Sequence, residues 1–307
     1  PNLTALVGTR FLTGIVAAAV FPLTLAYIGE TVHYSQRQHV IGYTVMASSI
    51  GQVISSGAGG FLAAFLSWRA IFAFDGLIAL AITIAMLRNA DAARRSITTR
   101  RSSRAGFALV LRDRRHILFY VLIFIEGIFT LGAFSYMGAL LRDRDGFSYT
   151  AIGAIISLFG LTAIGAGRII GPLARRIGEA RMILFGGIGA AGCFGLTVLQ
   201  PAIVFFPLAM ALLGVTWIVM HTTLQTRATE LAPGARATGI SLFAFALFLG
   251  SSAGALIVAQ AIERYDYDPT MLGLAILTLA FAIVASFGVP RWSRPERGAL
   301  ADSTAGV

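Results

Sequence analysis

Lysine is absent: all 24 basic residues of this 307-residue chain are arginine. A Gly-rich loop that cradles a nucleotide needs its lysine, so ATP-driven chemistry of that kind is excluded within the chain. Cysteine is almost absent, and the single Cys193 rules out an internal disulfide and a Cys-based metal site. The four histidines (His33, His39, His116 and His221) show no HExxH or comparable spacing, so neither a metal nor a cofactor is expected. Charged residues make up 12% of the chain, about half the share usual in soluble domains. The net charge of +10 comes from the arginines. An all-arginine bias of the kind that GC-rich coding produces is no argument for nucleic acid, and no such partner is expected. No set of nucleophile, base and metal ligands stands out, so an enzyme is not expected.

What the chain has in abundance is apolar sequence, 57% of its residues. A helix needs about 20 apolar residues to cross a ~30 Å hydrocarbon core. Nine runs of roughly that length occur, at about 3–28, 39–66, 70–87, 116–140, 149–170, 182–199, 202–224, 237–262 and 270–289. They predict an all-α, multi-pass membrane protein whose solvent is the lipid bilayer. Arginine is shared unequally between alternating connections: one set holds 19, nine of them between Arg88 and Arg115, and the other holds four. By the positive-inside rule the first set is cytoplasmic, which puts the C-terminus inside and Pro1 outside.

The stretch 89–115 is the one long polar connection. Its Ser, Thr and Arg content cannot bury a core, whereas Phe107, Val110 and Leu111 suit a short amphipathic surface helix leading into the fourth span. It separates a three-span part, 1–88, from a six-span part, 116–290, which a tail, 291–307, follows. Internal similarity links the two parts. Gly14 recurs as Gly214, Glu30 as Glu230, Arg37 as Arg236, Gly51 as Gly250 and Ser55 as the equally small Gly254, all at an offset of 199 or 200. Spans one to three recur at that distance as spans seven to nine, and spans four to six have no earlier counterpart. This predicts a six-plus-six arrangement of twelve helices, the first three of which would precede Pro1.

Within the spans, two kinds of residue carry information. Gly42, Gly51, Ser55, Ser56, Gly59 and Gly60 punctuate span two, and residues that small allow another backbone to approach closely. Their echo on span eight, Gly239–Gly254, suggests a pseudo-symmetric pair about which two halves rock, although small-residue packing also occurs in static bundles. Ionisable residues are the second kind. Glu126 lies about ten residues into span four, roughly 15 Å deep at ~1.5 Å per residue, where a charge is costly and marks a pathway. Thr130, Ala133 and Met137 share its face at helical spacing. Glu126 is therefore the leading proton-binding candidate, the alternative being a neutral acid hydrogen-bonded to a neighbouring helix.

Arg10 lies roughly 10 Å deep in span one and cannot lose its proton; it serves as a fixed counter-charge or snorkels outward. Asp75 fits interfacial solvation. His221 reads as a hydrogen-bonded residue near the inner end of span seven or as a group titrating near neutrality. Trp217 and Tyr136 either line a cavity or pack, and Cys193 packs. Glu30 with Arg37, and Glu230 with Arg236, are either exchangeable latches or simple helix-end charges.

These residues carry a resemblance. Arg10-Phe-Leu-Thr-Gly14 resembles the fourth-helix motif of the major facilitator superfamily, and Gly42, Gly51, Ser55-Ser56 and Gly59-Gly60 resemble its fifth-helix, antiporter-associated motif. Trp68-Arg69 followed by Phe72 is similar to the junction before its sixth helix. Gly171-Pro-Leu-Ala-Arg175-Arg176-Ile-Gly178-Glu179-Ala-Arg181 resembles the loop that precedes its third and ninth helices. Two departures are visible: Ser55-Ser56 replaces a Gly-Pro pair, and Arg175 and Glu179 stand where the family often has an acid and a base. The resemblance covers essentially the whole chain. It implies a bundle of twelve helices in two halves, this chain supplying helices four to twelve. The cavity-lining helices would then be spans one, four and seven, with Arg10, Glu126, Thr130 and Trp217. It further implies a secondary active transporter in the cytoplasmic (inner) membrane, exchanging protons for a small organic molecule, a drug or sugar-like metabolite, by rocking-bundle efflux. An uptake symporter or facilitator, and a non-transporting fragment or interaction module, are the alternatives.

Overall fold

A computed structural model describes residues 2–32, 34–88, 103–231 and 235–292. They form two compact units, Pro1–Ser48 with Phe72–Arg101, and Ser49–Ile71 with Ser102–Val307. No strand occurs among the described residues, and seven of their helices are long and apolar enough to cross a membrane. All nine predicted runs coincide with helices. The chain is an all-α, multi-pass membrane protein.

Three long helices open the chain: α1 (Leu3–Thr31), α2 (Tyr34–Phe65) and α3 (Trp68–Arg88). In the first unit, Asn2 caps α1, its Oδ1 accepting the Thr4 N–H at 3.1 Å. The hydroxyls of Thr9, Thr13 and Thr24 donate to carbonyls four residues back at 3.0, 2.8 and 2.8 Å. A bilayer supplies no water to these groups, so a polar side chain must be satisfied from within its own helix or a neighbour. Arg10 is exposed and holds its guanidinium over the Phe72 ring, 4.3 Å from the centroid.

The second unit contains α4 (Ser103–Leu111), α5 (Arg114–Gly127), a π-helical turn (Ile128–Gly132), α6 (Met137–Asp143), α7 (Tyr149–Ile177), α8 (Glu179–Leu196), α9 (Ala202–Glu230), α10 (Arg236–Tyr265) and α11 (Tyr267–Trp292). The short α4 falls on the predicted amphipathic stretch, with Val110 fully buried while Phe107 and Leu111 face outward. Asp113 then caps α5, its Oδ1 accepting the Arg115 N–H at 2.8 Å. Residues 89–102 and 293–307 of the expected linker and tail lie outside the described residues. Residues 49–71 group with the second unit. Their contact is at Gly60, where a Cβ would stand 2.8 Å from Gly153 Cα and 2.6 Å from the Tyr149 carbonyl oxygen.

α8 packs on α9 and α11, α9 on α7, and α5 with the π turn on α10. The last contact is held at backbone distance by glycines. A Cβ on Gly250 would lie 1.9 Å from the Phe124 carbonyl oxygen, and one on Gly127 would lie 2.1 Å from that of Leu247. One turn further on, a Cβ on Gly132 would lie 2.7 Å from the Gly254 Cα. Two tyrosines fasten the ends of the same contact: Tyr120 Oη donates to the Gly239 carbonyl at 3.1 Å and Tyr136 Oη to that of Ala255 at 2.8 Å. The small residues of span eight therefore serve span four, and those of span two reach span five.

At the end of the unit where spans four, six and nine finish or begin, Arg144 gathers three elements. Its guanidinium donates to Asp145 at 2.8 Å, to the Thr197 carbonyl at 2.9 Å, and to Asp268. Gln200 adds a hydrogen bond to Asp145 at 3.0 Å. Partial burial opposes the charge on Arg144, but the two carboxylates outweigh it and raise its pKa above the ordinary arginine value.

Candidate functional site

Glu126 occupies the last turn of α5 and is completely buried. Its Oε1 lies 2.8 Å from Nδ1 of His221, on α9, which is 8% exposed. The two residues are 95 positions apart in sequence. The other carboxylate oxygen, Oε2, is buried with no hydrogen-bond partner. Directly after Glu126 the helix loses its α register in the π turn Ile128–Gly132, a local rearrangement frequent at functional sites. Thr130, within that turn, is buried and donates its hydroxyl to the Glu126 carbonyl oxygen at 2.6 Å.

The histidine is held as firmly as the acid. Trp217 precedes it by one helical turn and stacks on its ring, with centroids 4.5 Å apart and planes 17° apart. Phe243 of α10 covers it at 5.3 Å. Phe159 of α7 lies 5.4 Å from Trp217, so the aromatic column continues across a third helix. Thr130, Leu131, Phe134, Phe159, Leu213 and Trp217 surround a small depression beside this column.

The pair can exist with one proton between acid and imidazole or with one proton more or fewer. Only the first arrangement is neutral as a whole. In a buried, low-dielectric position a net charge on the pair is expensive, since an unpaired ion there carries a desolvation cost of several kcal/mol. Loading or unloading a proton is therefore tied to whether water or a counter-charge reaches the site. That is the elementary requirement for coupling a proton to a change of conformation.

The structure brings Glu126, Thr130 and Trp217 of the predicted set together in the second unit. Arg10 sits in the first unit against Phe72. In the fifth-helix motif, Gly60 makes the close contact described above, Gly57 lies 3.4 Å from Ser157 Oγ by its built Cβ, and Gly51 and Gly59 face open space. Ser55 is exposed, while the surroundings of Gly42 and Ser56 lie outside the described residues. The loop motif covers the end of α7 and the start of α8. Its Gly178 joins them at a φ of 78°, a left-handed value that favours glycine. Gly171, Arg175, Arg176 and Arg181 are exposed.

Glu179 of this loop accepts a hydrogen bond from Nε of Arg227 at the end of α9, and Arg227 also reaches Glu230 at 3.5 Å. Glu230 is thus engaged within its own helix by Arg227. The side chains of Glu30, Arg37 and Arg236 lie outside the described residues. Sequence reasoning missed the partner of Glu126. The available signal was that His221 is the only titratable residue in span seven and Glu126 the only acidic residue in span four, and a buried acid calls for a partner.

Residues 1–255 match the family model of the Major Facilitator Superfamily. The chain belongs to this superfamily. Members of the Major Facilitator Superfamily are transporters, not enzymes. Over 183 residues the chain is 30% identical to multidrug resistance protein 2 of Bacillus subtilis, covering 57% of this chain and 46% of that protein. It is 26% identical over 301 residues to an uncharacterized MFS-type transporter, YwfA, of the same organism, covering 94% of this chain and 71% of that protein. It is 24% identical over 288 residues to a probable sugar efflux transporter of Pasteurella multocida, covering 92% and 68%. The match thus spans about half the length of the multidrug relative and roughly 70% of the other two.

Proposed function

We propose that the protein is a proton-coupled efflux transporter of the cytoplasmic membrane, with its C-terminus in the cytoplasm. It would exchange external protons for an internal small organic molecule as two six-helix halves, divided by the 89–115 linker, rock about a central site. The observation that carries this reading is the buried 2.8 Å contact between Glu126 and His221. It joins the two cavity-lining helices of the C-terminal half through the one kind of bond that a single proton rewrites. In the outward-open state the pair would take up a proton; in the inward-open state the proton would leave to the cytoplasm. The relatives named as a multidrug resistance protein and a probable sugar efflux transporter support outward transport of a small molecule.

The test uses inverted membrane vesicles containing the full-length protein, with the interior acidified. A panel of fluorescent aromatic dyes and radiolabelled hexoses is offered outside. Gradient-driven accumulation of a panel member is expected in the wild type. Glu126→Gln is expected to abolish it while preserving gradient-free exchange of the same compound. Full gradient-driven accumulation in Glu126→Gln would overturn the coupling role.

A further inference from the structure

The short helix α4 is anchored by one face. A Cβ on Gly106 would stand 2.5 Å from Thr238 Oγ1, near the start of α10. Val110, one turn further on, is fully buried in a core that also holds Leu231, Ala235 and Phe243. The corner between α4 and α5 is fastened too, since the Val110 carbonyl oxygen lies 2.9 Å from Nδ1 of His116. The helix is thus held beside the end of the span that α5 begins.

Its other faces are exposed and apolar. Phe107, Leu109 and Leu111 are 41%, 52% and 42% exposed, Ala108 is exposed between them, and no residue from Gly106 to Leu111 is polar. At about 100° per residue, Phe107 and Leu111 flank the anchored face on one side and Leu109 on the other, with Ala108 opposite. Apolar surface on three sides of a helix is costly in water. At the end of a membrane span it meets the boundary between headgroups and acyl chains, where such a helix lies in the plane of the surface.

Positive charge follows at once. Arg112, Arg114 and Arg115 are exposed, and none of them forms an ion pair among the described residues. The one acid between them, Asp113, is engaged: its Oδ1 accepts the Arg115 N–H at 2.8 Å and its Oδ2 lies 4.0 Å from Nε2 of His116. It offsets one of the three arginines and leaves the corner positive. The sequence adds Arg100, Arg101 and Arg104 to the same segment. A guanidinium matches a phosphate with two parallel hydrogen bonds. A nucleic acid or an acidic protein would engage the arginines and leave Phe107, Leu109 and Leu111 in water, whereas a phospholipid satisfies both features together.

We propose that α4 and the arginines after it form a site for anionic phospholipid. Arg112, Arg114 and Arg115 hold the lipid phosphates, and Phe107, Leu109 and Leu111 sit among the upper acyl chains.

The experiment places the full-length protein in lipid nanodiscs, with Cys193→Ala removing the native thiol and Leu109→Cys carrying a bimane fluorophore. Quenching is compared between phosphatidylglycerol and phosphatidylcholine that bear the same nitroxide on an acyl chain, at equal mole fractions. A bimane at Ile276, a 69% exposed residue inside α11, is the reference. At position 109 phosphatidylglycerol is expected to associate about fivefold more strongly than phosphatidylcholine, the worth of one arginine at an anionic surface; at position 276 the two lipids should quench alike. This comparison needs no arginine variant to fold. Replacing Arg112, Arg114 and Arg115 together by glutamine is expected to bring the ratio at position 109 close to one while quenching itself persists, because the apolar face still inserts. Equal quenching by the two lipids at position 109, a preference that survives the triple replacement, or no quenching by either lipid there would each overturn the proposal, the last by showing that protein covers this face. Quenching needs no substrate or proton gradient, so its outcome is independent of the transport reading.

Discussion

Replacing Gly250 by alanine puts a single methyl group into the tightest backbone contact of the second unit. A Cβ there would stand 1.9 Å from the Phe124 carbonyl oxygen, 2.8 Å from its carbon and 3.1 Å from its Cα, whereas ordinary contact begins at 3.4 Å. The obstacle is helical backbone, so no side chain can rotate away. Span four and α10 must separate by about 1.5 Å along this direction. The two tyrosine bonds that fasten the same helices, at 3.1 and 2.8 Å, would then stretch beyond hydrogen-bonding range. Overpacking of a tight core costs about 1–3 kcal/mol, and each lost hydrogen bond about 0.5–1.5 kcal/mol more.

The expected destabilisation is therefore about 2–6 kcal/mol, partly offset by the better helix propensity of alanine, worth about 0.8–1.0 kcal/mol over glycine. The assay is the thermal melt of detergent-solubilised protein followed by size-exclusion fluorescence, with Gly273→Ala as control. Gly273 is helical with nothing within 4 Å of its built Cβ, so its variant should melt at or slightly above wild type. If Gly250→Ala melts no lower than Gly273→Ala, the close approach of span four to α10 is refuted.

Two further outcomes follow from burial and pairing. Cys193 is 2% exposed, so it should resist maleimide labelling in the folded protein and react fully after denaturation in SDS; rapid labelling of the native protein would contradict its place in the core. Arg144→Gln leaves Asp145, whose side chain is 8% exposed, without its main cation. Breaking a largely buried pair costs about 3–5 kcal/mol, so this variant should melt well below wild type. Asp268→Asn, at a 46% exposed side chain, should cost no more than about 1 kcal/mol.

Hydropathy along the chain determined where the apolar helices fall, because a helix in hydrocarbon must satisfy its own backbone and present apolar side chains over a fixed length. The depth of Glu126 was legible for the same reason: a lone acid in an apolar run is visible as an exception. The π turn was not, since a shift in hydrogen-bond register after Gly127 leaves the composition of the span unchanged. Small residues on spans two and eight announced close packing, but their spacing could not say against what. Gly60 meets Gly153, and Gly250 and Gly254 meet span four, because helix packing selects partners by the shape of whole faces.

The pairing of Glu126 with His221 belongs wholly to the tertiary structure. Read along the chain, the acid is a proton-binding candidate and the histidine a hydrogen-bonded residue near a helix end or a group titrating near neutrality. Folding places α5 and α9 so that the two side chains meet at 2.8 Å, under the stacked ring of Trp217. A charge or a polar group inside a membrane protein takes its meaning from what faces it, and no sequence separation fixes that.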